Sequence, residues 1–511
     1  IPAYWNYFEP NTNFRASSII QCRTMPMLAP IMHEVNIYSY WFQVPIRLLM
    51  SESDYENFIT GGRDGTAEVE WPKYRINKGN LISTGIKYML DYMDVPVQQI
   101  VDNFASTDKV TFDAVPFRAY ADIFNNFFRD PNVMAEYLYR KFTGVVDYEA
   151  EEWMDIDVDM LKTKPRCWTK DYYTSALPWA QRGGNVNVPF TALTDLAMSG
   201  DDPSEVWPTT SYPLEYAEPL TVGEPVTGQP SRHKLATDNT AQDVQINVTK
   251  HTKANTTIQG TINDLRNAFA IQRWKERNAL GGARYIEQIN AHFNVWADDY
   301  RLQRPLFLGG SRSPLQVSEI LQTSESSTSS VQGNMVGRGY TLDKQGNVHS
   351  FIKEHSIIMN IICITPKASY FQGMPRKLDI RDKFDFPWPL LANLGEQEVR
   401  NSEIYYTGKA AVDDQPFGYQ SRYAQYKFEP NRVHGEFTNN LLFWHLARKF
   451  NNAPALNRQF LQVTESYNGL DRIFPVLSDP DVYANVNNHF WAQINFDIRV
   501  KRPLPYFGTP S

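Results

Sequence analysis

The sequence of 511 residues predicts a mainly β fold with long, partly helical excursions between its strands. Three observations carry that reading. Aromatic residues reach 14% of the chain, a bias towards pleated, half-buried surfaces. Thirty-two prolines interrupt the chain too often for a helical bundle or a long series of βαβ units. Apolar residues alternate with polar ones over residues 489–503, the period of a strand with one buried face.

Residues 17–50 read as two strands joined by a proline-containing turn, because Val35 to Val44 is dense in β-branched and aromatic residues. Pro45 stops the second strand. Ser51 then opens a capped helix over 51–62 that Gly61 and Gly62 end. Two more helical stretches fall between Ile86 and Asp130. In the clearer one, 116–130, Phe117, Tyr120, Ile123, Phe124, Phe127 and Phe128 recur at three and four residues, a stripe that reads as core packing rather than an aromatic cofactor box. Residues 198–260 are rich in Pro, Thr, Asp and Glu and read as a surface excursion or an added subdomain. A helix follows over 261–282, with Thr261 and Asp264 spaced as a capping box and Gly281 and Gly282 at its end. Residues 322–333 form a polar, low-complexity loop. Strands are expected at 355–367, 417–430 and 489–503, and a helix at 437–450. In the last strand Phe490, Ala492, Ile494, Phe496, Ile498 and Val500 share the buried face. No internal repeat at periods of 20 to 50 residues is visible.

Fifty basic residues against 57 acidic ones give a net charge of −7, the opposite of what a generic polyanion binder carries, so any nucleic-acid contact must be local. The longest nearly unbroken apolar run, 356–364, falls short of the roughly 20 residues a membrane helix needs. The first residues lack the basic start and apolar stretch of a signal peptide. Cys22, Cys167 and Cys363 lie far apart and suit a reducing compartment, with cytoplasmic synthesis the expectation.

Motifs for chemistry fail in turn. Neither a dinucleotide fingerprint nor a Walker lysine loop is present. Residues 309–313, GGSRS, have the wrong spacing for a nucleophile elbow and read as a turn. His349, Glu354 and His355 lack the spacing that sets two imidazoles on one helical face. The paired acids Asp201 and Asp202, Asp298 and Asp299, and Asp413 and Asp414 read as solvated turns rather than as a glycosidase pair or a calcium site. No catalytic residue, metal or cofactor is expected.

Segments along the whole chain do carry a likeness. RTMPMLAPIMHEVNIYSYWFQVPIRLL at 23–49, VPFRAYADIFNNFFRDPN at 115–132, KDYYTSALPWAQRG at 170–183, TINDLR at 261–266, ALGGARY at 279–285 and RLQRP at 301–305 resemble, in order, the major capsid proteins of the Microviridae, most closely the gokushovirus-like branch. Ala180, Leu280 and Ser356 depart from the common pattern and bear only on details of turns.

The resemblance implies a single eight-stranded antiparallel jelly roll over 1–511, of viral capsid type, with long insertions between its strands. It implies sixty copies in a T=1 icosahedral shell around circular single-stranded DNA, a virion component assembled in the bacterial host cytoplasm without membrane insertion. It further implies an internal scaffolding protein, a DNA pilot protein, a small basic packaging protein and a bacterial cell-surface receptor as partners. By the same resemblance, 198–260 corresponds to the insertion that projects at the threefold axes. Trp207, Tyr212 and Tyr216 are its candidates for host attachment, the other reading being that they pack a small core of their own. Arg499, Lys501 and Arg502 are candidates for genome contact, since single-stranded DNA is held by phosphate neutralisation and base stacking; a solvated strand end is the other reading. Two further classes stand beside the capsid: a carbohydrate-binding or glycoside-processing β-sandwich, motivated by the aromatics and acids, and a tail or fibre protein, which predicts a repeat or coiled coil.

Overall fold

The computed structural model describes residues 1–83, 86–147, 161–184, 262–282, 284–296, 298–299, 301–321, 335–464, 469–474 and 489–504, together with short pieces at 186, 191–192, 234–235, 244–245, 258–259, 323 and 332–333. The chain divides into two compact units, 1–184 with 274–511, and 185–273. In the second unit, 258–259 pairs with 191–192 and 234–235 with 244–245, both antiparallel. That unit contains the segment 198–260, of which the remaining residues, with Trp207, Tyr212 and Tyr216, lie outside the described ones. The polar loop read at 322–333 lies largely outside them as well.

The first unit is organised by eight strands in two four-stranded antiparallel sheets: β1 (Pro2–Phe8), β2 (Thr12–Thr24), β3 (Val35–Pro45), β4 (Leu306–Pro314), β5 (Gln316–Leu321), β6 (Met335–Ile352), β7 (Ser356–Pro366) and β8 (Phe490–Lys501). One sheet has the order β1-β7-β3-β4 and the other β5-β6-β2-β8. Side chains from both sheets share two clusters. Phe8, Phe14, Trp41, Val348, Ile352 and Ile358 form one, with Phe496 and Ile498 against it, and Ile20, Cys22, Ile37, Leu315 and Ile362 anchor the other. Each such buried side chain contributes roughly 1.5–3 kcal/mol of transfer free energy.

The central strands of the first sheet, β7 and β3, are buried on both faces, which explains why they do not alternate cleanly. On β7, Ile358, Ile362 and Ile364 point to the second sheet, while Ile357, Met359 and Ile361 join Phe42 and Val44 of β3 in a third cluster. Described residues between 46 and 147, with Leu161, cover that outer face. Ser51 caps α1 (Glu52–Thr60), its hydroxyl accepting from the Asp54 amide, and Gly61 ends it at φ 76°. Helix α2 (Val115–Ile123) then buries Phe117, Tyr120 and Ile123 in the same cluster. The expected helix of 116–130 continues only as a single π turn over Phe124–Phe128. Arg118, fully buried, donates to the carbonyls of Leu49 (2.9 Å) and Phe142 (3.1 Å) and lies 4.3 Å over the Phe142 ring. The helix read at 261–282 is α3 (Ile262–Gly281), followed by α4 (Tyr285–Phe293).

Three local readings are corrected. Residues 309–313 are not a turn but part of β4, where the register slips between Phe307 and Gly309. Residues 437–450 are not a helix: two 3-10 turns at Gly435–Thr438 and Leu442–Trp444 give way to a segment without regular structure. Distant partners hold it in place. The Arg448 amide donates to Ser369 O, and its buried guanidinium donates to Phe460 O (2.6 Å) and packs 4.0 Å from the Phe460 ring. The strand expected over 417–430 is Pro416–Ser421 only, ended where Tyr423 takes φ 63° and a short helix begins.

Candidate nucleic-acid interface

The second sheet has one face in the core and the other in solvent, so the period of two sorts its residues by chemistry. On β2, Phe14, Ala16, Ile20 and Cys22 point inward, leaving Asn13, Arg15, Ser17, Ile19, Gln21 and Arg23 on the other face. Register then dictates what stands beside them. Across β8, Trp491 faces Arg23, Gln493 faces Gln21, Asp497 faces Ser17, Arg499 faces Arg15 and Lys501 faces Asn13. Across β6, Tyr340 faces Arg23, Lys344 faces Ile19, His349 faces Arg15 and Phe351 faces Asn13. Arg338 continues the face towards β5, opposite Ser318.

The outcome is an exposed surface with Arg15, Arg23, Arg338, Lys344, Arg499 and Lys501 as cations, interleaved with Tyr340, Phe351 and Trp491 and with the amides of Asn13, Gln21, Gln493 and Asn495. Among its described residues the acid is Asp497, which pairs with Arg499 at 3.2 Å where both are well exposed. An exposed pair of this kind adds little to stability. Arg23 lies 5.7 Å over the Tyr340 ring, and His349 Nε2 meets Asn13 Oδ1 at 2.6 Å. A chain with net charge −7 thus concentrates positive charge on one sheet face, with flat aromatic groups a few ångströms from the cations. Such a surface can neutralise phosphates and stack unpaired bases together.

Of the residues read from sequence, Arg499 and Lys501 stand on this face. Arg502 does not: it turns back on β1, with Nη1 3.6 Å from Glu9, Nη2 donating to Tyr7 O (3.4 Å) and the guanidinium 4.6 Å over Phe8. Sequence reasoning missed Arg15, Arg23, Arg338 and Lys344. Arg15 and Arg23 alternate with buried residues of β2, a local signal, but their meeting with Trp491 and Arg499 depends on a pairing across nearly the whole chain.

Two of the acid pairs serve other partners, and the third, Asp201 and Asp202, lies outside the described residues. Asp299 pairs with Arg304 at 3.2 Å and Asp298 with Arg301 at 3.8 Å. Asp413 is buried and accepts from the Thr407 amide and hydroxyl, whereas Asp414 pairs with Arg381 at 2.6 Å. Among the described residues no three His, Cys, Asp or Glu side chains converge as a metal site, and no helix is long and apolar enough to cross a membrane.

A family model described as capsid protein (F protein) matches residues 1–511. Capsid protein VP1 of Chlamydia phage 1 is 31% identical, over all of this chain and 92% of its own length. Capsid protein VP1 of Bdellovibrio phage phiMH2K is 32% identical over all of this chain and 91% of its own length. Capsid protein VP1 of Spiroplasma virus 4 is 29% identical, with 100% and 92% covered.

Proposed function

We propose that this chain, which belongs to the capsid protein (F protein) family and is the major capsid protein of a small single-stranded DNA phage, encloses its genome as one of sixty copies in a T=1 shell. The protein is structural rather than enzymatic and forms the virion shell. Two four-stranded antiparallel sheets around a shared core support reading the eight strands as a capsid jelly roll, with the excursions 46–305 and 367–489 as its large insertions. In this reading the outer face of the β5-β6-β2-β8 sheet lines the interior and touches circular single-stranded DNA. Arg499 and Lys501 act there with Arg15, Arg23, Arg338 and Lys344, and Arg502 fixes the chain end instead.

The six cations against one acid on that face, in an acidic chain, are the observation that carries the reading. The insertion at 198–260, with Trp207, Tyr212 and Tyr216, contributes to host attachment at the threefold axes. Scaffolding, pilot and small basic packaging proteins complete assembly. Ultraviolet crosslinking of filled particles, followed by mass spectrometry of nucleotide-bearing peptides, tests the genome contact. Adducts in 12–24, 335–352 and 489–504 are expected. Adducts confined to other peptides would refute it.

A further inference from the structure

The segment from Arg376 to Leu394 has its polarity reversed for a solvent loop. Its large apolar side chains point out: Leu378, Phe384, Phe386, Trp388, Leu390 and Leu394 are between 45% and 90% exposed. Its charges are used underneath. Buried Arg376 donates to Glu398 O (2.6 Å) and lies 3.6 Å from both Asp385 and Glu403. Asp379 pairs with Arg400 (2.7 Å) and Arg381 (3.0 Å), and Asp385 accepts from the Arg381 amide (2.8 Å). The side chains of Arg422, Tyr423 and Tyr426 donate to the carbonyls of Phe384 and Asp385, each at 3.2 Å. Trp388 Nε1 donates to Lys383 O (2.7 Å) between two prolines, Pro387 and Pro389, that stiffen the backbone. The strap is therefore preformed, and ordering it on binding costs little.

We infer that this strap is a contact between copies of the chain, docking its apolar crest on a neighbouring subunit. The inference rests on the shell reading above. Large side chains expose on the order of 150–250 Å² each when free, so these fractions amount to about 700 Å², close to one partner's share of a standard protein interface. A patch of that size on a subunit left alone is an aggregation hazard. The charges bordering it are balanced, Lys377, Arg381 and Lys383 against Asp379, Asp382 and Asp385, so an identical copy is not repelled and a polyanion is not selected.

The test replaces three crest residues that make no hydrogen bonds through their side chains, Leu378→Asp, Leu390→Asp and Leu394→Asp, in the full chain produced alongside the phage's other assembly proteins. Sedimentation of the wild type should give particles. The triple variant should lose at least tenfold in particle yield while its subunit keeps the wild-type circular dichroism and melting temperature. Particles at wild-type yield would overturn the inference with the shell reading intact. A wild type that forms no particles would overturn the shell reading and this contact with it. A second variant covers failure to fold: Leu390→Cys in assembled particles should react with a maleimide at least tenfold more slowly than in dissociated subunits. Equal rates would overturn the contact.

Discussion

Replacing Arg15, Arg338 and Lys501 with Gln removes three of the cations on the outer face of the β5-β6-β2-β8 sheet without touching its core side. The expected effect follows from counting charges. The six cations are offset by the one charge of Asp497, so the face sets a net five positive charges against phosphates. Each phosphate neutralised on a single strand contributes about −0.7 to the slope of log K against log salt, so the wild type should show about −3.5 and the variant about −1.4. Between 50 and 200 mM salt, affinity should then fall about 130-fold for the wild type and about sevenfold for the variant. Fluorescence anisotropy of a labelled oligothymidylate with dissociated subunits reads both slopes. Lys377→Gln, at the strap and paired with Glu429, is the control and should leave the slope unchanged. Equal slopes for the triple variant and the wild type would refute the assignment of this face to the genome.

Trp491→Ala should cost roughly 1–3 kcal/mol of oligonucleotide affinity with the salt slope unchanged, because a lost stacking platform removes no charge; a changed slope in the same anisotropy assay would contradict that. Gly373→Ala should destabilise severely, since an added methyl would collide with the Glu403 backbone carbonyl, and thermal melting of the variant subunit near the wild-type temperature would show the backbone approach to be wrong. Glu396 gives a pH dependence. Burial, then repulsion from Glu276, raises its carboxyl to about 7 from its ordinary 4.5, against an opposing pull from Lys427, and both oxygens are buried without a hydrogen-bond partner. The folded state therefore keeps a proton that the unfolded state loses, and stability falls as pH rises from about 4.5 through 7. Glu396→Gln should raise the melting temperature most at pH 8 and not at all near pH 4; a shift independent of pH would contradict the cause.

What the sequence made legible was what local chemistry decides. The Ser51 cap and Gly61 terminator defined α1 because both act within one turn, and the alternation of 490–500 defined β8 because one face meets the core. The run 356–364 read as a strand, but its burial on both faces came from an excursion begun three hundred residues earlier. Distance in sequence explains the failures as well. Residues 437–450 carry helix-like spacing, yet Arg448 is tied to Ser369 and Phe460, partners no local pattern names. The same holds for function. Arg499 and Lys501 were visible as a basic strand end, whereas the surface they belong to exists only once β8 pairs with β2 and β6 brings Lys344 and Tyr340 alongside. The strap at 376–394 escaped notice because an apolar loop looks buried until the structure turns its side chains outward.

Electron cryomicroscopy of material purified from producing cells distinguishes a closed shell from any smaller assembly. Icosahedral particles of sixty copies are expected, with the β5-β6-β2-β8 face turned to internal density and the insertion 198–260 traced at the threefold axes. Dispersed monomers or small oligomers, persisting when the scaffolding protein is produced alongside, would contradict the shell reading.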